Sequence, residues 1–339
     1  MIRSTLALTA LALLAACGDG QPFPDTAGGT APASGGGTTG GGGLETGGAT
    51  PPLPGTASPT PESGIVRFEA SAADGTSLIQ DVSYDAATDT FRVDGVGFDG
   101  QNVYTRMPGA LRTVGPTRVF QADLTTPDSV TGTPIVQFDP YRAMYGVSRN
   151  RTDGEPRTSF AIVRTGAYAG YGFGGYVYQR NGGVTLPSTG QAVFAGDYAG
   201  MRVFEGQTGL EYTTGDMRLQ IDFEDFNAND AVVGEIRNRV TIDEDGNVSG
   251  ALPNVGWVVQ EGTPVITANG EISGELFSNI ADGQGGITEY ETGTFNGIIA
   301  GDLTSAPGGE IVGVVVLEGQ LPNTEITSQE TGGVVLYRD

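Results

Sequence analysis

Carboxylates are the only abundant reactive groups in this chain. Its 339 residues hold 40 Asp and Glu, a single cysteine (Cys17) and no histidine. All 17 basic residues are arginine, since the sequence has no lysine. Without imidazole there is no general base poised near neutral pH and no Ser-His-Asp or Cys-His relay. Without lysine there is no Schiff base and no phosphate-loop amine. Zinc and copper centres draw on His and Cys, so neither is expected. Two-carboxylate glycoside hydrolysis and hard-cation binding survive this filter. Nothing in the spacing singles out one pair of acids, and Trp257 is the lone tryptophan where a sugar cleft usually carries several aromatics. Solvated surface charge accounts for the acids, and no catalytic residue, cofactor or metal is assigned.

Two acidic turns come near to a calcium loop. Asp225-Phe226-Asn227-Ala228-Asn229, in a cluster that also holds Asp222, Glu224 and Asp230, supplies the first oxygens. It has Asp230 where the loop needs Gly, and no Glu at the twelfth position. Asp243-Glu244-Asp245-Gly246-Asn247 is equally incomplete. Both read as Asn/Asp turns between strands.

Cys17 has a more specific setting. A cationic start (Arg3) and an apolar run from Leu6 to Leu14 lead into Ala15-Ala16-Cys17. That order is a secretory signal peptide, and its apolar run is too short to cross a bilayer as a helix. The Leu14-Ala15-Ala16-Cys17 ending resembles the lipobox of bacterial lipoproteins. The resemblance implies cleavage before Cys17, acylation of that residue, and a membrane partner engaged through the lipid. Gly18 follows the cysteine and Asp19 comes next, which favours delivery to the outer membrane of a Gram-negative cell, facing either the surface or the periplasm.

Tyr168, Tyr171, Phe173, Tyr176 and Tyr178 lie among Gly166, Gly170, Gly172, Gly174 and Gly175. Tyr168, Tyr171, Phe173 and Tyr176 are the candidate ligand-binding residues, as a mobile aromatic loop. The competing reading is a Gly-bent hairpin with its rings packed beneath a barrel, and aromatic stripes are more often core.

The elements that must position these groups are strands. Residues 18–63 hold 14 Gly and 8 Pro and read as a disordered tether. Its root-mean-square reach is about 35–40 Å, and its stretched limit is on the order of 150 Å. From Gly64 onward, short alternating runs recur between Gly, Asn, Asp and Pro, which is the all-β pattern. A β-rich handle-like domain is expected over residues 64–190, with a hairpin about Asp85 to Asp89. Leu186-Pro187-Ser188-Thr189-Gly190 marks the seam. Residues 191–339 then carry roughly eight to ten short strands, which fits an antiparallel barrel of about eight. Its interior is expected to hold Met217, Leu219, Ile221, Phe223, Phe295 and alternate members of Ile311 to Leu317. A membrane-spanning barrel is disfavoured because the strands read as shorter than the ~9–11 residues it needs. The net charge of −23 repels nucleic acid, which is not an expected partner.

The stretch from Leu186 through Phe194-Ala195-Gly196-Asp197-Tyr198-Ala199-Gly200 resembles the barrel entry of transferrin-binding protein B-like lipoproteins. Asp222-Phe223, Gly293-Thr294-Phe295-Asn296-Gly297, Gly319 and Gly332-Gly333-Val334 are similar to later parts of that barrel. Gly166 to Arg180 is similar to the segment ahead of it. The resemblance covers Ser159 to Asp339 and, more weakly, Gly64 onward. It implies a handle and an eight-stranded barrel. It also implies a non-enzymatic envelope binding protein. Such a protein is expected to capture a protein or small solute through barrel loops, in iron acquisition and beside a TonB-dependent receptor; the alternative is a structural or interaction protein of the envelope with no soluble ligand. The transferrin receptor lipoprotein has two lobes and this chain has room for one, so transferrin itself is not carried over. No ligand residues are carried over either.

Overall fold

The computed structural model describes residues 53–70, 79, 81–95, 103–122, 125–127, 130–136, 139–166, 170–224, 232–258, 266–305 and 308–339. Among these residues there is one short 3-10 turn, Gly109–Arg112, and no α-helix. Cys17 and the Asp225 to Asp230 turn lie outside the described residues, as does Tyr168.

The N-terminal part contains β1 (Ile65–Phe68), β2 (Asp81–Asp85), β3 (Thr90–Asp94), β4 (Val103–Arg106), β5 (Thr113–Val114), β6 (Thr117–Ala122), β7 (Thr125–Pro127) and β8 (Pro134–Val136). It continues with β9 (Arg142–Val147), β10 (Arg151–Thr152), β11 (Glu155–Pro156), β12 (Thr158–Arg164) and β13 (Gly174–Arg180). Its main sheet runs β1-β13-β12-β9-β6-β4-β3-β2, with β5 on β6, and curls into a half-barrel. This is the handle. The hairpin expected about Asp85 to Asp89 joins β2 and β3.

A short strand, β14 (Val184–Thr185), leads to the barrel. There follow β15 (Gln191–Phe204), β16 (Leu210–Asp222), β17 (Val232–Ile242), β18 (Val248–Ala251), β19 (Val255–Val258), β20 (Glu271–Ala281), β21 (Ile287–Asp302), β22 (Glu310–Gln320) and β23 (Thr327–Arg338). All but β18 pair in chain order, and β23 pairs back with β15, closing eight antiparallel strands. Closure leaves the barrel no free edge.

Period-two alternation sets the two sides of the wall. Met217, Leu219 and Ile221 are buried in the lumen with Phe295, Ile311 and Leu317, while Asp216, Arg218 and Gln220 between them are exposed. The strands are longer than the sequence indicates: β15 has 14 residues, β16 has 13 and β21 has 16. Length therefore does not argue against a membrane-spanning barrel. The outer wall does. It carries exposed Asp197, Asp216, Arg218 and Arg237 where a spanning barrel needs an apolar band.

Part of the outer wall is covered by the handle. Ala199, Met201, Tyr212, Val312 and Val314 on the barrel pack against Ile65, Met144, Phe160, Ile162 and Tyr178 on the handle. Phe160 is the wedge. A Cβ on Gly146 or on Gly333 would fall 2.2 Å from its ring, so both glycines are what admit it. Polar stitches surround the wedge. Buried Glu310 accepts hydrogen bonds from Ser148 Oγ (2.9 Å), Thr158 Oγ1 (2.8 Å) and Asn150 Nδ2. Arg164 binds Thr331 of β23 at 2.9 Å and Glu69 at 3.0 and 3.1 Å.

Residues 53–63, expected to belong to the disordered tether, are instead laid along the handle by two buried arginines. Arg67 donates to Leu53 O (3.1 Å), Thr56 O (2.9 Å) and Glu271 Oε1 (2.6 Å). Arg180 donates to Thr60 O, Ser63 O, Asn269 O and Ile299 O at 2.7–3.3 Å. Backbone carbonyls take most of these donors and the Glu271 carboxylate takes Arg67 Nε, and composition alone carries no trace of that. Through Arg67, Leu53 is linked to Glu271, the first residue of β20.

Candidate functional site

The lumen has two halves. Toward the ends where β15 and β20 begin, it is filled by Phe194, Leu219, Trp257, Phe295, Ile299 and Leu336. Toward the opposite end it is ionic. Arg239 Nη1 donates to Glu291 Oε2 at 2.8 Å, and Nη2 donates to Glu330 Oε2 at 2.8 Å. Tyr198 Oη and Thr213 Oγ1 both donate to Glu330 Oε1, at 2.6 and 2.9 Å, and Ser278 Oγ donates to Glu291 at 2.8 Å. Arg202 completes the group through Tyr290 Oη (2.7 Å) and Ser328 Oγ (3.0 Å). Gly332 makes room for the Tyr198 ring, because a Cβ there would lie 2.2 Å from it.

Burial acts to raise the Glu330 carboxyl, but Arg239, the Tyr198 hydroxyl and Arg202 outweigh it and hold the group below its usual range. Burial acts to lower Arg239, and Glu330 and Glu291 reverse that. The Tyr198 phenol is pushed up, by burial first and by Glu330 second. This is a charge-neutralised plug. Glu291 and Glu330 cannot serve as an acid and base pair, since both are buried and both are bound to one guanidinium.

With the lumen filled, the surface offered to a ligand is the outer one. At the ionic end, β20–β21 and β22–β23 are joined by two hairpins, and between them lies a cleft of about 820 Å³. Asp282, Glu289, Tyr290, Thr292, Glu318 and Leu321 are among its walls. Thr292 and Glu318 are direct cross-strand partners. Both hairpins are held by local bonds. The Asp282 carboxylate accepts from Gln284 N and Gly286 N at 2.8 Å each, which draws its pKa down. Gln320 Nε2 donates to Thr324 O at 2.7 Å.

Of the candidate aromatics, Tyr171 reaches this end. It is half-buried, and burial together with the nearby Glu318 and Glu205 carboxylates lifts its phenol pKa. Its loop is tied to the β15–β16 turn by Gly206 N donating to Gly170 O at 3.1 Å. Phe173 packs against the other face of the handle. Tyr176 is buried in the seam, 4 % exposed, near Glu69 and Arg164. The structure therefore does not bring the four together. Glu318, Glu289 and Asp282 escaped the sequence reading; their only signal was the turn chemistry of Asp282-Gly283-Gln284-Gly285 and Leu321-Pro322-Asn323.

The acidic turn at Asp243 is occupied by its own backbone. Asp243 Oδ1 accepts from Asn247 N at 2.8 Å and Asp245 N at 3.0 Å. Among the described residues no group of three or more acidic, His or Cys side chains is arranged to hold a metal ion.

Handle and barrel together define an all-β, two-part architecture. No family model matches the chain, and no curated protein matches it. Among solved structures it is similar to a double mutant of the vaccine antigen transferrin binding protein B from Haemophilus parasuis, at 12% identity and a TM-score of 0.33, over 77% of this chain and 45% of that one. It is also similar to the transferrin binding protein B of serogroup B Neisseria meningitidis, at 11% identity and a TM-score of 0.29, over 82% of this chain and 52% of that one. The chain spans about half the length of these structures.

Proposed function

We propose that the chain is a lipid-anchored binding protein of the Gram-negative outer membrane. It captures a protein or small solute with the hairpin end of its barrel and performs no chemistry on it. In this reading Cys17 carries the lipid and the residues between Cys17 and Leu53 are the tether. The observation that supports the reading is the opposition of two ends of one strand. Arg67 binds both Leu53 O and the side chain of Glu271, the first residue of β20, and the cleft opens at the last residues of that strand. At about 3.4 Å per residue, a strand of 11 residues separates them by roughly 35 Å. A molecule moored at one end presents the other. The filled lumen leaves outer loops as the place for recognition, and Tyr171 gives that place an aromatic contact at its margin. The acid-rich rim suits a partner with a basic surface. Capture within iron acquisition, beside a TonB-dependent receptor, is the context that the sequence resemblance implies.

The test is photocrosslinking in intact cells with a photoreactive residue at Gln284 or Asn323, against Ser305 near the tethered end. Adducts are expected from the first two positions only. Equal yields at all three, or none at any, would remove the hairpin end from recognition. Metabolic labelling with a clickable fatty acid, wild type against Cys17→Ala, tests the anchor: label in the variant equal to the wild type sinks it.

A further inference from the structure

A second cleft, of about 660 Å³, opens at the seam between handle and barrel. Its walls run from Gly146 to Arg149 on the handle, and from Ala195 to Asp197, with Val335 and Tyr337 to Asp339, on the barrel. Its charge runs against that of the chain. The protein has 40 acids and 17 arginines, yet Arg149, Arg151 and Arg338 here face Asp197 and Asp339. Arg118 also borders the cleft, but its guanidinium lies over the Tyr84 ring, 4.9 Å from the centroid.

Arg149 is the distinctive group. Its guanidinium carbon stands 3.8 Å from the centroid of Tyr337, and among the described residues no acceptor takes a hydrogen bond from its side chain. Arg151 and Arg338, by contrast, each spend a donor on a backbone carbonyl, Gly154 O and Leu303 O. The platform beneath Arg149 is fixed, because Tyr337 Oη accepts from Arg149 N at 2.9 Å. Its chain neighbours are fixed as well, since Ser148 and Asn150 both bind the buried Glu310 carboxylate. A guanidinium held over a ring keeps its five N–H donors in its own plane, a geometry that matches a carboxylate or a phosphate. Pre-organisation of this kind lowers the ordering cost of binding.

We propose that the seam cleft binds a small solute through a carboxylate or phosphate group. Arg149 takes the oxyanion, and Arg151 and Arg338 add long-range attraction. The site is separate from the hairpin end and does not depend on the reading of that end.

The test is calorimetric titration of the full chain carrying Cys17→Ser with citrate, as the carboxylate arm, and pyrophosphate, as the phosphate arm, at about 50 mM and about 300 mM salt. Saturable binding of one arm is expected, weakened about tenfold or more in Arg149→Gln and unchanged in Asp81→Asn, on the exposed edge strand β2. An unaltered melting curve for Arg149→Gln shows that the fold is intact. No saturable binding of either probe overturns the proposal. Binding that survives Arg149→Gln undiminished overturns it too, since the anion then rests on net field alone. The hairpin crosslinking can fail while this titration succeeds, and the reverse.

Discussion

Gly332 and Tyr198 illustrate how single atoms set the barrel's polar end. Valine at position 332 would drive its Cβ into the Tyr198 ring and lift Tyr198 Oη from Glu330. Overpacking of this kind costs about 1–3 kcal/mol. Urea unfolding followed by Trp257 emission measures it, and a variant as stable as wild type would show that the ring has room to move. Glu330→Gln goes further, because it leaves Arg239 with one buried carboxylate in place of two. Breaking a buried ion pair from one side costs about 3–5 kcal/mol.

The same groups set the response to pH. A carboxyl held low in the fold, as Glu330 is, lends its stability above the unfolded value, near 4.5, and loses it as pH falls through the folded value. Asp89 and Asp282 share that direction, while Glu211, raised chiefly by burial, opposes it. On the alkaline side, burial lifts the phenols of Tyr178 and Tyr198 above the ordinary 10, so stability falls as pH rises past 10. With no histidine to titrate between, stability is expected to be flat from about pH 6 to 9. Unfolding free energies across pH check this, and a step near pH 6.5 would contradict it.

At the scale of elements, the strands were legible wherever the lumen is apolar. Met217 to Phe223 announces itself by alternation and lies in the apolar half, and Ile311 to Leu317 by an unbroken apolar run, buried on both faces because the handle covers its outer side. The halves that line the ionic plug do not. Thr327 to Gly333 turns Ser328, Glu330 and Gly332 inward, so its inward face is polar or bare and reads as loop. The Ile287 to Glu291 end of β21 was obscured for the same reason, whereas β15 was legible through its whole length as a run from Val193 to Phe204. The aromatic loop was legible as composition only, because seam burial of Tyr176 and the outward placing of Tyr171 depend on a barrel wall distant in sequence.

One barrel strand is weak. β19 has 4 residues and pairs with β17 at two positions, Glu235↔Gly256 and Ile236↔Val255. Its anchor is Trp257, cradled between Gly234 and Gly274 and 5.6 Å from the Phe295 ring. Amide exchange is expected to be faster for Val255 to Val258 than for Val312 to Val316, which pair on both sides. Equal protection would mean that the indole holds the strand as firmly as a full ladder.

At the scale of the molecule, the handle stays on the barrel through Phe160 and the carboxylate stitches around it. Phe160→Ala empties the space that Gly146 and Gly333 leave open, a loss of about 3–5 kcal/mol. Limited proteolysis is expected to cut first between Ile65 and Arg180, with Trp257 emission unchanged. A wild-type digestion pattern would show that the ion pairs alone suffice. The net charge of the whole chain is −23, so its self-repulsion is relieved by salt.

The first and last staves of the barrel are each other's neighbours. A ribosome delivering the chain from its N-terminus releases β15 with one side bare, and that side stays bare until β23 emerges. Until then the growing product carries an open strand and an uncovered oily interior, both invitations to aggregate. A stop codon placed ahead of β23 would therefore yield a sticky, degradable product in place of a slightly shortened one.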